Sequence, residues 1–141
     1  MEFEGQYLTK KEYTDLGGSQ IEETPFNILE FEARRRIDIR TQNRLKGTET
    51  TDVPQEVKLC EFNIIENIRA FNTSKKEAQL SGNITSVSTD GYSESYLNAT
   101  QIKDLFNSNE DEIKKIIYTY LVEVEFNDKY LIFDGRDNVN K

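Results

Sequence analysis

The side chains with which this 141-residue chain could do chemistry are 26 carboxylates, 18 lysines and arginines, seven tyrosines and one cysteine, for it contains no histidine. That absence removes an imidazole base, a Ser-His or Cys-His nucleophile pair and the common zinc sites, and a lone Cys60 cannot complete a thiolate cage. Catalysis would rest on carboxylates, Lys or Tyr. A carboxyl pair does acid-base work only when burial raises the pKa of one partner. Glu22-Glu23 and Glu110 to Glu112 stand at expected helix starts, where capping and the helix dipole account for them. Cys60 falls on an apolar helix face with no cationic partner in the sequence, which reads as a small core residue. The seven glycines are scattered, and Gly17-Gly18 follows a helix instead of opening one, so no phosphate loop is present. The expectation is a protein without catalytic, metal or cofactor chemistry, not an enzyme.

Charge directs attention elsewhere. The net charge is -8, which repels nucleic acid on average, since duplex affinity comes from cations that release counterions from phosphates. Between Ala33 and Lys46, however, stand Arg34, Arg35, Arg36, Arg40, Arg44 and Lys46 against Asp38 alone. On a continuous helix Arg36, Arg40 and Arg44 would line one face. Glu30 to Arg34, Glu32 to Arg36 and Arg34 to Asp38 are four-residue pairs that neutralise part of the cluster. The aromatic or hydroxyl interleaving of a single-strand binder is missing. Ion pairing within the helix and between subunits is therefore favoured over duplex recognition.

The elements that must carry these residues belong to one domain of ordinary size, by length. A hydrophobic share of 35% and a mean hydropathy of -0.73 are polar for a globular chain, while 11% aromatics and periodic stretches argue against disorder. The core should be modest and much of the surface hydrophilic or covered by partners. The start MEFEGQYL is acidic where a signal peptide would have a basic region before an apolar one, no apolar run is long enough to span a membrane, and one cysteine forms no intrachain disulfide. A soluble protein of a reducing cytoplasm is expected.

The pattern predicts a mainly α fold: a small helical bundle of two long antiparallel helices and shorter C-terminal ones, with a β-hairpin excursion and a C-terminal extended segment. Thr9 and Glu12 form a capping box for a short helix that Gly17-Gly18 stops, with Tyr7, Tyr13 and Leu16 as its buried contacts. Thr24-Pro25 opens a long helix to about Asn43, with Phe26, Leu29, Ala33 and Ile37 on one stripe; Phe31 and Ile39 fall off it and suggest a second contact surface. Asp52 and Pro54 open the central helix, whose apolar side is Val57, Cys60, Ile64, Ile68 and Phe71, broadened by Ile65. The period then changes to two, and Ile84 to Leu97 reads as a hairpin around Asp90-Gly91, a pair suited to a tight primed turn. Thr100 to Phe106 reads as a short helix with Ile102, Leu105 and Phe106 inward. Asn109 caps a longer one that buries Ile113, Ile116, Ile117, Tyr120 and Leu121. VEVEF after it is either a strand or more helix, and Tyr130 to Phe133 is a strand candidate.

The helix carrying ARRRIDIRTQNR, with Ile37, Asp38, Thr41 and Arg44, the helix with EVKLCEFNII, the ITSVSTDGYSESY stretch around Asp90-Gly91-Tyr92-Ser93 and the terminal YLIFDGR follow one another in a telling order. Together they resemble the head-tail connector, or adaptor, proteins of tailed phages and Gram-positive prophages, over nearly the whole chain. The resemblance implies a single connector domain over residues 1–141 and a dodecameric ring in the virion. The ring would bind the portal protein after DNA packaging and carry the stopper or tail-completion protein. It would extend a channel through which DNA passes without sequence-specific binding or membrane contact. The virion's head-tail interface is the implied location, after assembly from the host cytoplasm. Carried onto this sequence, it assigns portal docking to Leu131, Ile132, Phe133, Asp134, Gly135 and Arg136 within a 130–141 docking segment. It assigns the 84–97 hairpin, with Ser86, Ser88, Asp90, Gly91, Tyr92, Ser93 and Tyr96, to subunit or neck contacts. Phe31, Arg34, Arg36, Asp38, Ile39, Arg40 and Arg44 would form a subunit interface in a head-to-tail ring, which needs two different lateral surfaces. An acidic lumen would let DNA slide. The alternative is a small prophage DNA-binding or packaging-regulatory protein that uses the Arg34 to Arg44 face.

Overall fold

The computed structural model describes the backbone of residues 3–88 and 99–132 and the side chains of residues 3–76 and 103–132. Its elements are α1 (Lys10–Asp15), α2 (Glu23–Thr41), a 3-10 turn (Thr50–Asp52), α3 (Gln55–Ser88), α4 (Ala99–Leu121) and a hairpin of β1 (Glu125–Phe126) and β2 (Lys129–Tyr130). The chain is mainly helical, a small bundle with one short antiparallel hairpin near its C-terminal end. It divides into two compact units, Met1–Glu66 with Lys115–Lys141, and Asn67–Lys114.

Local chemistry explains the first helices. The Thr9 hydroxyl accepts the Glu12 N–H at 3.1 Å, and the Glu12 carboxylate accepts the Thr9 N–H at 3.0 Å, closing the expected capping box. At the other end the Gly18 N–H donates to the Tyr13 carbonyl and Gly17 adopts φ +106. Gly18 serves a different need: a Cβ there would lie 2.4 Å from the Tyr13 ring. Leu16, expected inside, is 38% exposed.

α2 begins earlier than its Thr24-Pro25 signal. The Phe26 N–H donates to the Glu22 carbonyl, so Glu22 is the N-cap and Pro25 is the third helical residue. Proline is tolerated there because the first-turn N–H groups have no intrahelical partner. The helix stops at Gln42, with φ 53, followed by Asn43 at φ 61. Phe26, Ala33 and Ile37 are buried as expected, and Leu29 is half-buried. In α3 the carbonyl of Pro54 takes the first helical bonds, from Val57 and Lys58. Val57, Cys60, Ile64, Ile65 and Ile68 are buried.

Three expectations about the second half change. The first arm of the hairpin expected at 84–97 is helical: α3 continues through Ser88, and residues 89–97 lie outside the described ones. Serine, threonine and asparagine cost a helix only tenths of a kcal/mol each, so a polar run does not end one unless proline intervenes. For the same reason the two C-terminal helices are one, α4, running unbroken through Asn107-Ser108-Asn109. Leu105 and Phe106, expected inward, are 41% and 45% exposed. The observed hairpin pairs Glu125 with Tyr130 and Phe126 with Lys129, around Asn127 and Asp128 at φ 54 and 67. These are the two positive φ values of a type I′ turn, which Asn and Asp tolerate better than other non-glycine residues.

The larger unit has its core in Tyr7, Leu8, Tyr13, Phe26, Ile37, Ile64, Ile65, Ile117, Leu121 and Leu131, all fully buried. Tyr13 stacks obliquely between Phe26 and Phe62, each centroid 5.3 Å away, and its hydroxyl donates to Glu66. Asn63 on α3 donates to the Tyr120 hydroxyl on α4 at 3.0 Å. In the smaller unit Phe71 and Phe106 meet edge to face at 6.3 Å. Among the described residues no helix is long and apolar enough to cross a membrane.

Candidate functional site

α2 carries most of the residues singled out in the sequence, and its two faces differ sharply. Helical spacing puts Ile28, Phe31, Arg35 and Ile39 within an arc of about 80° on the side opposite Ala33 and Ile37. Their exposure agrees: Ile28 48%, Phe31 45%, Ile39 62%, with Arg35 also exposed. Isolated apolar residues on a surface need no explanation, but here three share one stripe with a cation among them.

The opposite face holds a polar core. Glu30 is fully buried; its Oε2 accepts the Tyr7 N–H at 3.1 Å and lies 3.2 Å from Arg34 Nε. Fully buried Glu61 on α3 has neither carboxyl oxygen matched to an N–H or hydroxyl donor, and Glu30 Oε1 is in the same position. Burial, then the neighbouring Glu30 carboxylate, pushes the Glu61 carboxyl well above the usual range. The Tyr7 hydroxyl donates to Asp38 Oδ1 at 2.5 Å, with Asp38 only 6% exposed. Burial raises the Asp38 pKa, against the lowering effects of the Tyr7 hydrogen bond and of Arg34. Gln6 donates to Asn27 at 2.9 Å beside them.

The N-terminal strap, Phe3–Leu8, is tied down by this network. Arg34 donates to the Glu4 carbonyl at 2.9 Å, Thr50 to the Gln6 carbonyl at 2.7 Å and Lys58 to the Tyr7 carbonyl at 2.8 Å. The Phe3 ring meets Phe31 edge on at 6.4 Å. Strap, α2 and the connector to α3 enclose a half-open cleft of about 610 Å3, bordered by Tyr7, Phe31, Arg34, Arg35, Asp38 and Lys46. Its charges are of both signs. Asp38 is engaged by the Tyr7 phenol, and Cys60, whose thiol burial pushes up, does not border the cleft. Among the described residues no group of three or more His, Cys, Asp or Glu could hold a metal ion.

The expected interface set is thus divided. Phe31, Ile39 and Arg40 are exposed, and Arg36 is half-buried, donating to the Glu32 carbonyl at 3.1 Å. Arg34 and Asp38 belong to the interior. Arg44 does not extend a face with Arg36 and Arg40, because α2 ends at Thr41; Arg44 donates instead to the Tyr130 carbonyl and pins the hairpin. Of the expected four-residue pairs, Glu30 with Arg34 is an ion pair, and Asp38 bonds the Tyr7 hydroxyl.

Of the docking residues, Leu131 is fully buried and Ile132 is 8% exposed, while Phe133, Asp134, Gly135 and Arg136 lie outside the described residues. Ser86 and Ser88 are on α3, and Asp90, Gly91, Tyr92, Ser93 and Tyr96 lie outside the described residues. The buried acids were missed, yet they left a signal. Glu30 sits at the four-three-four spacing of Phe26, Ala33 and Ile37, and Glu61 at that of Val57, Ile64 and Ile68, so each is a charge inside an apolar stripe.

No family model, curated protein or solved structure matches the chain.

Proposed function

We propose that the chain is a structural subunit of the phage neck, a head-tail connector whose role is geometric. It would join a ring beneath the portal, prolong the DNA channel and present a face for the stopper or tail. The observation that carries this reading is the outward stripe of α2. A helix already anchored by its inner face has no folding reason to display Ile28 and Ile39 on one outer side, beside a Phe31 that Phe3 covers only in part, whereas a ring subunit needs a lateral contact surface. The connector-like order of motifs supports the same reading, as does a negative excess suited to a conduit that must not grip DNA.

The duplex-binding alternative draws less support. Three of its five arginines, Arg34, Arg36 and Arg44, hold the chain's own carbonyls or carboxylates.

The test is imaging and co-sedimentation of the full chain with portal-containing heads. The connector reading expects a ring at the portal vertex and little duplex affinity in a gel shift at physiological salt. Truncation belongs after Ile132, because Leu131 and Ile132 are buried in the subunit itself. Removal of residues 133–141 should leave a folded subunit that no longer sediments with heads. Retention at full occupancy would refute the docking assignment, and steeply salt-dependent duplex binding would favour the alternative.

A further inference from the structure

The interior of the larger unit holds more acid than its cations can neutralise. Glu30 and Glu61 are each fully buried and Asp38 nearly so. Arg34, with its side chain 13% exposed, is the cation within ion-pair distance of Glu30. From α3, Lys58 is committed to the Tyr7 carbonyl and to the Glu12 carboxylate of α1, both within 2.9 Å. Exposed Arg35 and Lys46 face Asp38 alone; the other titratable groups near Glu30 and Glu61 are the Tyr7 phenol, bonded to Asp38, and the buried Cys60 thiol, and neither supplies positive charge. Two ionised carboxylates in apolar surroundings with one shared guanidinium are strongly disfavoured.

The unmatched oxygens indicate how the conflict resolves. Glu30 Oε1 and both oxygens of Glu61 meet no N–H or hydroxyl donor, so the bond available to them is an O–H···O bond between the two carboxyl groups. That bond requires one proton. Glu30 is the natural acceptor, because the Tyr7 N–H and Arg34 already stabilise its negative charge.

We propose that Glu61 and Glu30 share one proton in the folded chain, and that this proton acts as a latch: its loss loosens the Phe3–Leu8 strap. The proton leaves Glu61 for solvent, and the carboxylate left behind faces that of Glu30. Relief of the repulsion requires Glu30 to move, and its movement withdraws the acceptor of the Tyr7 N–H and disturbs Arg34, which also holds the Glu4 carbonyl. Phe3 and Tyr7 would then separate from α2. The inference does not depend on the connector reading.

The pH dependence has a definite sign. Glu61 keeps its proton in the folded chain, while in the unfolded chain it ionises near pH 4.3. The stability it contributes is complete below that pH and falls as pH rises. Each unit lowers the folded-to-unfolded ratio about tenfold until the folded pair gives up its proton. Glu61→Gln keeps an amide donor for Glu30 and removes the titration. It should lose the Glu61 share of the slope and exceed the wild type by a margin growing about tenfold per unit.

Three measurements on the full chain test this. Isotope-edited infrared spectroscopy of the wild type at neutral pH should show the carbonyl band of a protonated carboxylic acid that Glu61→Gln removes. Denaturant titrations from pH 4 to 9 should show a fall in the wild type steeper than in Glu61→Gln by about tenfold in the folded-to-unfolded ratio per unit. Exchange of the Tyr7 amide, corrected for its intrinsic pH dependence, should accelerate with pH in the wild type and not in Glu61→Gln. A wild type without the band, or with the same slope as Glu61→Gln, overturns the shared proton. Tyr7 exchange indifferent to pH while the band disappears overturns the latch. The spectrum and exchange of the wild type decide the matter even if the variant fails to fold.

Discussion

Ile39 separates folding from assembly more cleanly than any other residue of the α2 stripe. It is 62% exposed, on the side of the helix turned away from Ile37. Full burial of an Ile side chain stabilises by about 1.5–3 kcal/mol, so the exposed part leaves about 1–2 kcal/mol for a neighbour to gain. Ile39→Ala should therefore weaken each lateral contact by roughly 5- to 30-fold. The isolated subunit should stay within about 0.5 kcal/mol of wild type, because the change is superficial and alanine favours helix. The assay is occupancy of portal-containing heads at limiting subunit concentration, beside denaturant unfolding of the same preparation. Unchanged occupancy would remove Ile39 from any interface. A fall in stability matching the fall in occupancy would mean that the residue serves the fold, and the argument from the stripe would fail.

Two further substitutions test the interior. Gly18→Ala places a methyl 2.4–2.6 Å from three atoms of the Tyr13 ring, which Phe26, Phe62 and the Glu66 bond hold in place. A loss of about 1–3 kcal/mol in chemical denaturation is expected, and a loss under 0.5 kcal/mol would show that the ring can yield. Tyr7→Phe removes the donor from nearly buried Asp38 and should cost about 1–3 kcal/mol at neutral pH. That cost should shrink on acidification, since a protonated Asp38 no longer needs the phenol; a pH-independent loss would assign it to packing.

What the sequence made legible was local. The Thr9–Glu12 box, the Gly17-Gly18 stop and the alternating burial of Phe26, Ala33 and Ile37 depend on residues within a turn or two of each other. Expectations failed where a second signal, nearby or distant, competed with the first. Thr24-Pro25 is a good helix start in isolation, yet the Glu22 carbonyl accepts the Phe26 N–H and moves the start back. Alternating Ser and Thr at 84–88 fits a strand, but the helix that begins at Gln55 continues through them. The site was half legible for the same reason. Exposure of Phe31 and Ile39 follows from their angle on α2, whereas the inward roles of Arg34, Asp38 and Arg44 depend on Tyr7, Glu4 and Tyr130, far away in sequence.

The buried polar groups also bear on why so polar a chain folds. With a hydrophobic share of 35%, part of the interior must be built from groups that cost free energy unless each finds a partner. The Tyr7 phenol with Asp38, the Gln6 amide N–H with Asn27 and the Tyr7 N–H with Glu30 Oε2 meet that condition, and every pair draws one member from the face of α2 that turns inward. All three tie the N-terminal strap to the helix. Such bonds are directional where apolar contacts are not, so they fix the rotation of α2 about its own axis. A rotation of one residue position, about 100°, would leave Asp38 without its phenol and Glu30 without its amide. It would also carry Ile28 and Ile39 out of register with any neighbour. The polar interior thus orients the outer stripe, and a substitution that releases it, such as Tyr7→Phe, should weaken assembly more than its effect on folding alone predicts.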